Sequence, residues 1–198
     1  KKYLGMLVSE PIMASYATSE PDAGSDVAGM KTKFVQHGDD YVLNGQKRWI
    51  TNGGVASWFT VLATFDRARK HKGITCFVVD ADTPGFEIAE RIDVIAPHPL
   101  ARLRFTGCRV PLAQRLGAPA EGFKIAMRTL DVFRSSVAAA ALGFAQRALD
   151  EAVRHAKSRR MFGQTLGDFQ LTQAALADMA TSIEAARLLT YRAARLRD

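Results

Sequence analysis

The chain has 198 residues, 47% of them hydrophobic, and a formal net charge of +7. That composition can fill one good core or two small ones, and no run approaches the ~18–20 apolar residues of a membrane-crossing helix, so a globular chain without membrane insertion is expected. The cationic excess is spread through both halves, with no basic cluster interleaved with aromatics and no recognisable reading helix, which argues against nucleic acid as a partner; it suits phosphate-bearing ligands or a plain solvated surface equally well.

At the N-terminus, Lys1-Lys2-Tyr3-Leu4-Gly5 lacks an apolar stretch followed by a cleavage site, so a cytoplasmic or matrix-type compartment is expected. From about 13 to 111 the chain reads as short strands broken by turn chemistry, at 31–35, 41–43, 47–51, 59–65, 74–79, 86–92 and 103–110. His37-Gly38-Asp39-Asp40 and Asn44-Gly45 read as two successive tight connections, because Gly and Asn tolerate positive φ. This half is expected to be an antiparallel barrel or sandwich. Cys76 and Cys108, the only cysteines, sit in apolar strand contexts and read as small core residues with no disulfide framework.

The grammar changes after Gly117-Ala118-Pro119-Ala120. Proline disappears, and two long helices are expected at 121–155 and 167–196. Phe123, Met127, Leu130, Val137, Ala141 and Phe144 recur at three- and four-residue steps on the first; Leu176, Met179, Ile183, Ala186, Thr190 and Ala193 do so on the second. Such stripes read as core. The short connector at 158–164 implies antiparallel packing, and two helices alone make an incomplete bundle. The fold class is therefore α+β, with one β-domain over 1–116 and a helical domain over 117–198.

Four segments could carry chemistry. Tyr16-Ala17-Thr18-Ser19-Glu20-Pro21-Asp22-Ala23-Gly24-Ser25-Asp26 offers an aromatic, hydroxyls and a Gly-Ser tip that a phosphate could approach closely; taken alone it is an ordinary turn. Trp49-Ile50-Thr51 alternates so that Trp49 and Thr51 face one side and Ile50 the other, and alone it is barrel core. Arg159-Arg160-Met161-Phe162-Gly163 with Phe169-Gln170 supplies an Arg fork matching a pyrophosphate, or merely a cation at a helix C-terminus. Asp131 and Arg134, three apart, share a helix face and form at least an ion pair. No His pair, Cys-His cluster or carboxylate cluster suggests a metal, and G-x-G-x-x-G, G-x-x-x-x-G-K-[ST] and G-x-S-x-G are absent.

Taken together and in this order, these segments resemble the acyl-CoA dehydrogenase family over essentially the whole chain, most closely its medium- and short-chain members. The resemblance implies FAD as cofactor, bound through Tyr16, Thr18, Ser19, Gly24, Ser25, Trp49, Ile50 and Thr51. Trp49 would stack on the flavin, and the Thr51 region would meet the ring nitrogen that accepts hydride. Arg159, Phe162 and Gln170 would reach the FAD of a neighbouring subunit, and Ser25, Asp131 and Arg134 would meet the acyl-CoA. The implied reaction removes the α-proton of an acyl-CoA with a carboxylate and passes the β-hydrogen as hydride to flavin. An electron-transferring flavoprotein would be the acceptor, and the intact enzyme a homotetramer or dimer.

The resemblance also implies an all-helical domain before Lys1 and two more helices after Asp198. Some family branches carry the catalytic glutamate near Phe133, most on a later loop. Glu20, Glu121 and Glu151 have no motif support, so the general base is unassigned and expected outside the chain. Met161 departs from the hydroxyl or small residue often found there. Ala96-Pro97-His98-Pro99-Leu100-Ala101-Arg102 departs from a Gly-x-Arg-Ser-x-Thr type loop, with His98 read as fixed in an extended segment. Two other readings remain open: a non-catalytic flavin- or CoA-binding or oligomerisation module, and an oxidase or monooxygenase on the same scaffold.

Overall fold

The computed structural model describes residues 2–96 and 98–197, in two compact units, Lys1–Met127 and Arg128–Asp198. The first opens with helix α1 (Lys2–Ser9), followed by β1 (Ala14–Ala17), β2 (Lys33–His37), β3 (Asp40–Thr51), β4 (Trp58–Thr64), β5 (Ile74–Asp80), β6 (Phe86–Ile92), β7 (Leu100–Pro111) and β8 (Arg115–Leu116). The eight strands form one sheet in the order β6-β7-β3-β2-β4-β5-β8, with β1 paired to β4. Phe86 of β6 packs its ring 4.7 Å from Phe59 of β4, although the two strands are four places apart in the sheet. The sheet therefore curls over a core that includes Leu43, Phe59, Phe77, Leu103, Phe105 and Cys108.

The α+β class is as expected, but the sheet is mixed. β1 runs parallel along β4 from Ala14↔Trp58 to Ala17↔Val61, and β2 touches the far end of β4, also parallel, at Lys33↔Thr64. Residues 18–32 are thus an excursion between two segments laid on one edge of β4. Strand β1 is hidden in the sequence because Ala-Ser-Tyr-Ala has little intrinsic strand preference.

His37-Gly38-Asp39-Asp40 is the expected hairpin, closed by the His37↔Asp40 pair with Gly38 at φ 62°. Asn44-Gly45 is not a turn. Strand β3 runs straight through it, so the expected strands at 41–43 and 47–51 are one. Gly107 at φ 59° adds a residue to β7 and donates its N–H to Asn44 Oδ1 at 2.8 Å, while a Cβ on Gly45 would fall 2.6 Å from Thr32 Cα. The same chemistry that suits a turn serves here a bulge and a close crossing.

Helix α1 is pinned by Tyr3, whose hydroxyl accepts from Gln114 Nε2 at 2.6 Å and donates to Asp80 Oδ2 at 3.2 Å, with its ring 5.2 Å from that of Trp58. Both cysteines are buried and free. One local concentration of charge does occur, at Arg67, Arg69, Lys70 and Lys72 on an exposed 3-10 segment.

Helix α2 spans Gly122–Ser158 and α3 spans Gln170–Arg197. The connector is a small hairpin, β9 (Arg160–Met161) with β10 (Gln164–Thr165), followed by a 3-10 turn in which Thr165 and Asp168 form a capping box. Within the second unit the helices run antiparallel: Gly167 lies by Ala156, and Arg187 Nη2 donates to Gln146 Oε1 at 2.8 Å. The stripes are core only in part. Ile183 and Thr190 are buried, but Val137 and Phe144 face solvent, since two helices cover one flank of each other and no more. Among the described residues, no helix is long and apolar enough to cross a membrane.

Candidate functional site

Strand β1 delivers Tyr16, Thr18 and Ser19 to the end of β3 that carries Trp49, Ile50 and Thr51. Ser15 Oγ donates to Thr51 O at 2.5 Å, and Arg48 N donates to Ser19 O at 2.9 Å. Beneath this junction Lys47 is buried. Its Nζ donates to Thr18 O at 3.0 Å and to Glu20 Oε1 at 2.8 Å. Glu20 also accepts the amides of Lys31 at 2.5 Å and Thr32 at 3.0 Å. Burial alone would raise the Glu20 carboxyl, but Lys47 and these donors outweigh it and hold it below the ordinary carboxylate value. Burial draws the Lys47 ammonium down, with Glu20 opposing.

Trp49 owes its position to a bulge. Lys47 pairs with Leu103 and Ile50 with Ala101, so Arg48 and Trp49 together oppose one residue of β7. Tyr41, Leu43 and Lys47 point inward at odd positions; the bulge shifts the phase, so Ile50 points inward and Trp49 and Thr51 outward. Trp49 has φ 61° and is 52% exposed, with the Arg48 guanidinium 4.9 Å from the centre of its ring. A bulky residue held left-handed with its ring in solvent is strain without a packing return, a frequent mark of a ligand-facing position.

The segment leading into Glu20 carries two buried hydroxyls. The Tyr16 hydroxyl and Thr18 Oγ1 are buried side by side, yet neither makes a hydrogen bond of good geometry, and burial pushes the Tyr16 phenol up. Thr51 Oγ1 is exposed, 3.2 Å from His98 Nε2. An exposed indole with the Thr51 hydroxyl on the same outward side of β3 fits a flavin ring, which needs one apolar surface and donors at its polar edge.

Gly24 and Ser25 lie on the exposed turn after Glu20, and a Cβ on Gly24 would meet nothing within 4 Å. The space in front of this tip is open to a phosphate. Ile50 is different: its side chain belongs to the core over which the sheet curls, so only its backbone can face a ligand.

The other candidates lie in the second unit. Arg159 follows the last residue of α2, exposed and without an ion-pair partner among the described residues. Phe162 and Gly163, at φ 51° and 81°, form the two-residue loop of the β9–β10 hairpin, and Phe162 is 88% exposed. Gln170 begins α3, also exposed. Asp131 Oδ1 and Arg134 Nη1 stand 4.0 Å apart on the surface of α2, at the margin of an ion pair. Among the described residues no cluster could hold a metal. His98 is within the described residues; Pro97, half of the extended segment expected there, lies outside them.

Sequence reasoning missed Lys47 and the Thr51–His98 contact, and saw Glu20 only as part of a turn. A lysine two residues before a Trp on a strand reads as solvated, and nothing local links it to a glutamate 27 positions away.

The family model described as acyl-CoA dehydrogenase, middle domain, matches residues 15–108, and that described as acyl-CoA dehydrogenase, C-terminal domain, matches residues 120–198. Probable acyl-CoA dehydrogenase FadE25 of Mycobacterium tuberculosis (strain ATCC 25618 / H37Rv) is 46% identical over 196 residues, covering 98% of this chain and 50% of that protein. The solved structure of butyryl-CoA dehydrogenase from Megasphaera elsdenii matches with a TM-score of 0.92 at 41% identity, over 96% of this chain and 51% of that one. That of PigA with FAD and proline matches with a TM-score of 0.93 at 31% identity, over 96% and 50%. The chain belongs to the acyl-CoA dehydrogenase family, and it spans about half the length of the curated relatives it matches.

Proposed function

We propose that the protein is an FAD-dependent acyl-CoA dehydrogenase that converts an acyl-CoA thioester to its trans-2-enoyl form. The observation that carries this reading is Trp49, held at positive φ with its indole in solvent and Thr51 on the same outward side of β3. When bound, FAD would supply the hydride acceptor. Trp49 would form its apolar wall, Thr18, Ser19 and Thr51 would bond its polar edge, and Gly24 and Ser25 would approach its phosphates. Arg159, Phe162 and Gln170 would serve the FAD of a neighbouring copy in a homo-oligomer, with residues 1–116 and 117–198 as the two domains.

Ser25, Asp131 and Arg134 would meet the acyl-CoA. The carboxylates considered for proton removal are otherwise engaged: Glu20 holds Lys47, Glu121 accepts the Ala118 amide, and Glu151 pairs with Arg147 and Arg154. The base is therefore assigned to a segment other than these. An electron-transferring flavoprotein is the proposed acceptor, and the cytoplasm or the mitochondrial matrix the proposed compartment.

The test is FAD affinity followed by flavin fluorescence. Trp49→Ala should keep its far-ultraviolet spectrum and lose roughly 5- to 30-fold in affinity, since a stacked aromatic face contributes about 1–2 kcal/mol. Unchanged affinity would defeat the assignment of this face.

A further inference from the structure

His98 stands beside Thr51 because the chain around it is tied to the end of β3. Asn52 N donates to Pro99 O at 2.8 Å, and Thr51 pairs with Leu100. Both side chains are exposed, so the 3.2 Å contact between Thr51 Oγ1 and His98 Nε2 neither fills the core nor satisfies a buried group. His98 also lines an open hollow of about 630 Å³ with Asp93, Val94, Ile95 and Ala96.

A hydroxyl has one hydrogen and two lone pairs, and each nitrogen of a neutral imidazole either carries a hydrogen or accepts one. The pair therefore has two arrangements. With a hydrogen on Nε2, His98 donates to Thr51 and leaves the Thr51 hydrogen for a third group. With Nε2 bare, Thr51 donates to His98 and offers the third group only lone pairs.

We propose that His98 is a positioning residue that sets whether Thr51 presents a donor or an acceptor to a bound flavin ring. This rests on the reading of Trp49–Thr51 as the flavin face. The hydride-accepting nitrogen of a flavin is an acceptor in the oxidised form and an N–H donor in the reduced form. A Thr–His pair that can be arranged both ways can bond to both forms, whereas a one-way partner at position 98 matches only one.

The test follows the ring nitrogens of the four histidines by ¹⁵N NMR. Without FAD, Thr51→Val should move the His98 resonances and leave those of His37, His71 and His155 in place; no movement at His98 would overturn the pair. Addition of FAD should shift His98 saturably, and reduction with dithionite should shift it again. His98→Ala should weaken FAD binding about 3- to 10-fold, the range of one hydrogen bond, and His98→Gln, which keeps a donor and an acceptor, should recover part of it. FAD that binds with no response at His98 overturns the proposal and leaves the flavin face standing. If FAD does not bind at all, the flavin face falls and the proposal with it, even where the Thr51→Val response is intact.

Discussion

Lys47 Nζ donates to Glu20 Oε1 at 2.8 Å with the two side chains 0% and 3% exposed, and Lys47 also donates to Thr18 O. The pair ties the Tyr16–Ser25 segment to the strand that carries Trp49, so the two halves of the proposed flavin face share one buried anchor. Removing either partner strands the other charge in the interior. Lys47→Met and Glu20→Gln should each cost about 3–5 kcal/mol of stability, read from chemical denaturation; a cost under about 1 kcal/mol would show that the anchor is dispensable.

The same carboxylate sets an acid limit. Because the folded Glu20 carboxyl titrates below its reference value of 4.5, its contribution is fully present above that value and is lost as pH falls through the lower folded one. Denaturation curves between pH 7 and pH 3 should show stability falling on the acid side. In Glu20→Gln that part of the fall should disappear.

Two glycines separate packing from ligand approach. At Gly45, φ is 148° and an added Cβ would fall 2.6 Å from the Thr32 backbone, whereas at Gly24 φ is ordinary and the space is open. Gly45→Ala should destabilise by about 2–4 kcal/mol. Gly24→Ala should leave the melting temperature unchanged and weaken FAD binding. Equal melting temperatures for the two variants would contradict the close crossing of Gly45 over Thr32.

Phe162 occupies a turn position that favours Asn or Gly, at φ 51° with its ring almost wholly in solvent. Phe162→Asn removes no packing and relieves the backbone, so thermal stability should rise by about 1 kcal/mol. The hairpin would then be better folded and, on the proposed function, poorer at reaching a neighbouring copy's FAD. A drop in stability would contradict the reading of Phe162 as a strained turn residue that packs against nothing.

Burial pushes the thiol of Cys76 up to about 12 and that of Cys108 up to about 11. Neither forms appreciable thiolate near neutrality. A thiol-reactive dye at pH 8 should therefore label the native protein slowly and both cysteines at once on unfolding; fast native labelling would contradict the core assignment.

Much of this was legible in the sequence. The switch from strands to helices after Gly117–Ala120 showed in proline usage and apolar period, and the strands at 59–65 and 74–79 showed as buried runs bounded by turn residues. Asn44-Gly45 misled because a turn and a bulge demand the same backbone freedom. The outward faces of Trp49 and Thr51 were inferred from simple alternation, yet they arise from a bulge that breaks it. Lys47 with Glu20 and Thr51 with His98 are long-range pairs, fixed by register across β3 and β7 and by the course of β1, and no local pattern encodes them.

The most direct test of the flavin face is the visible spectrum of the protein after incubation with FAD and desalting. The expected result is retained yellow protein whose flavin bands are shifted and resolved relative to free FAD, as an apolar wall at Trp49 requires. Colourless protein, with all the flavin in the small-molecule fraction, would contradict it.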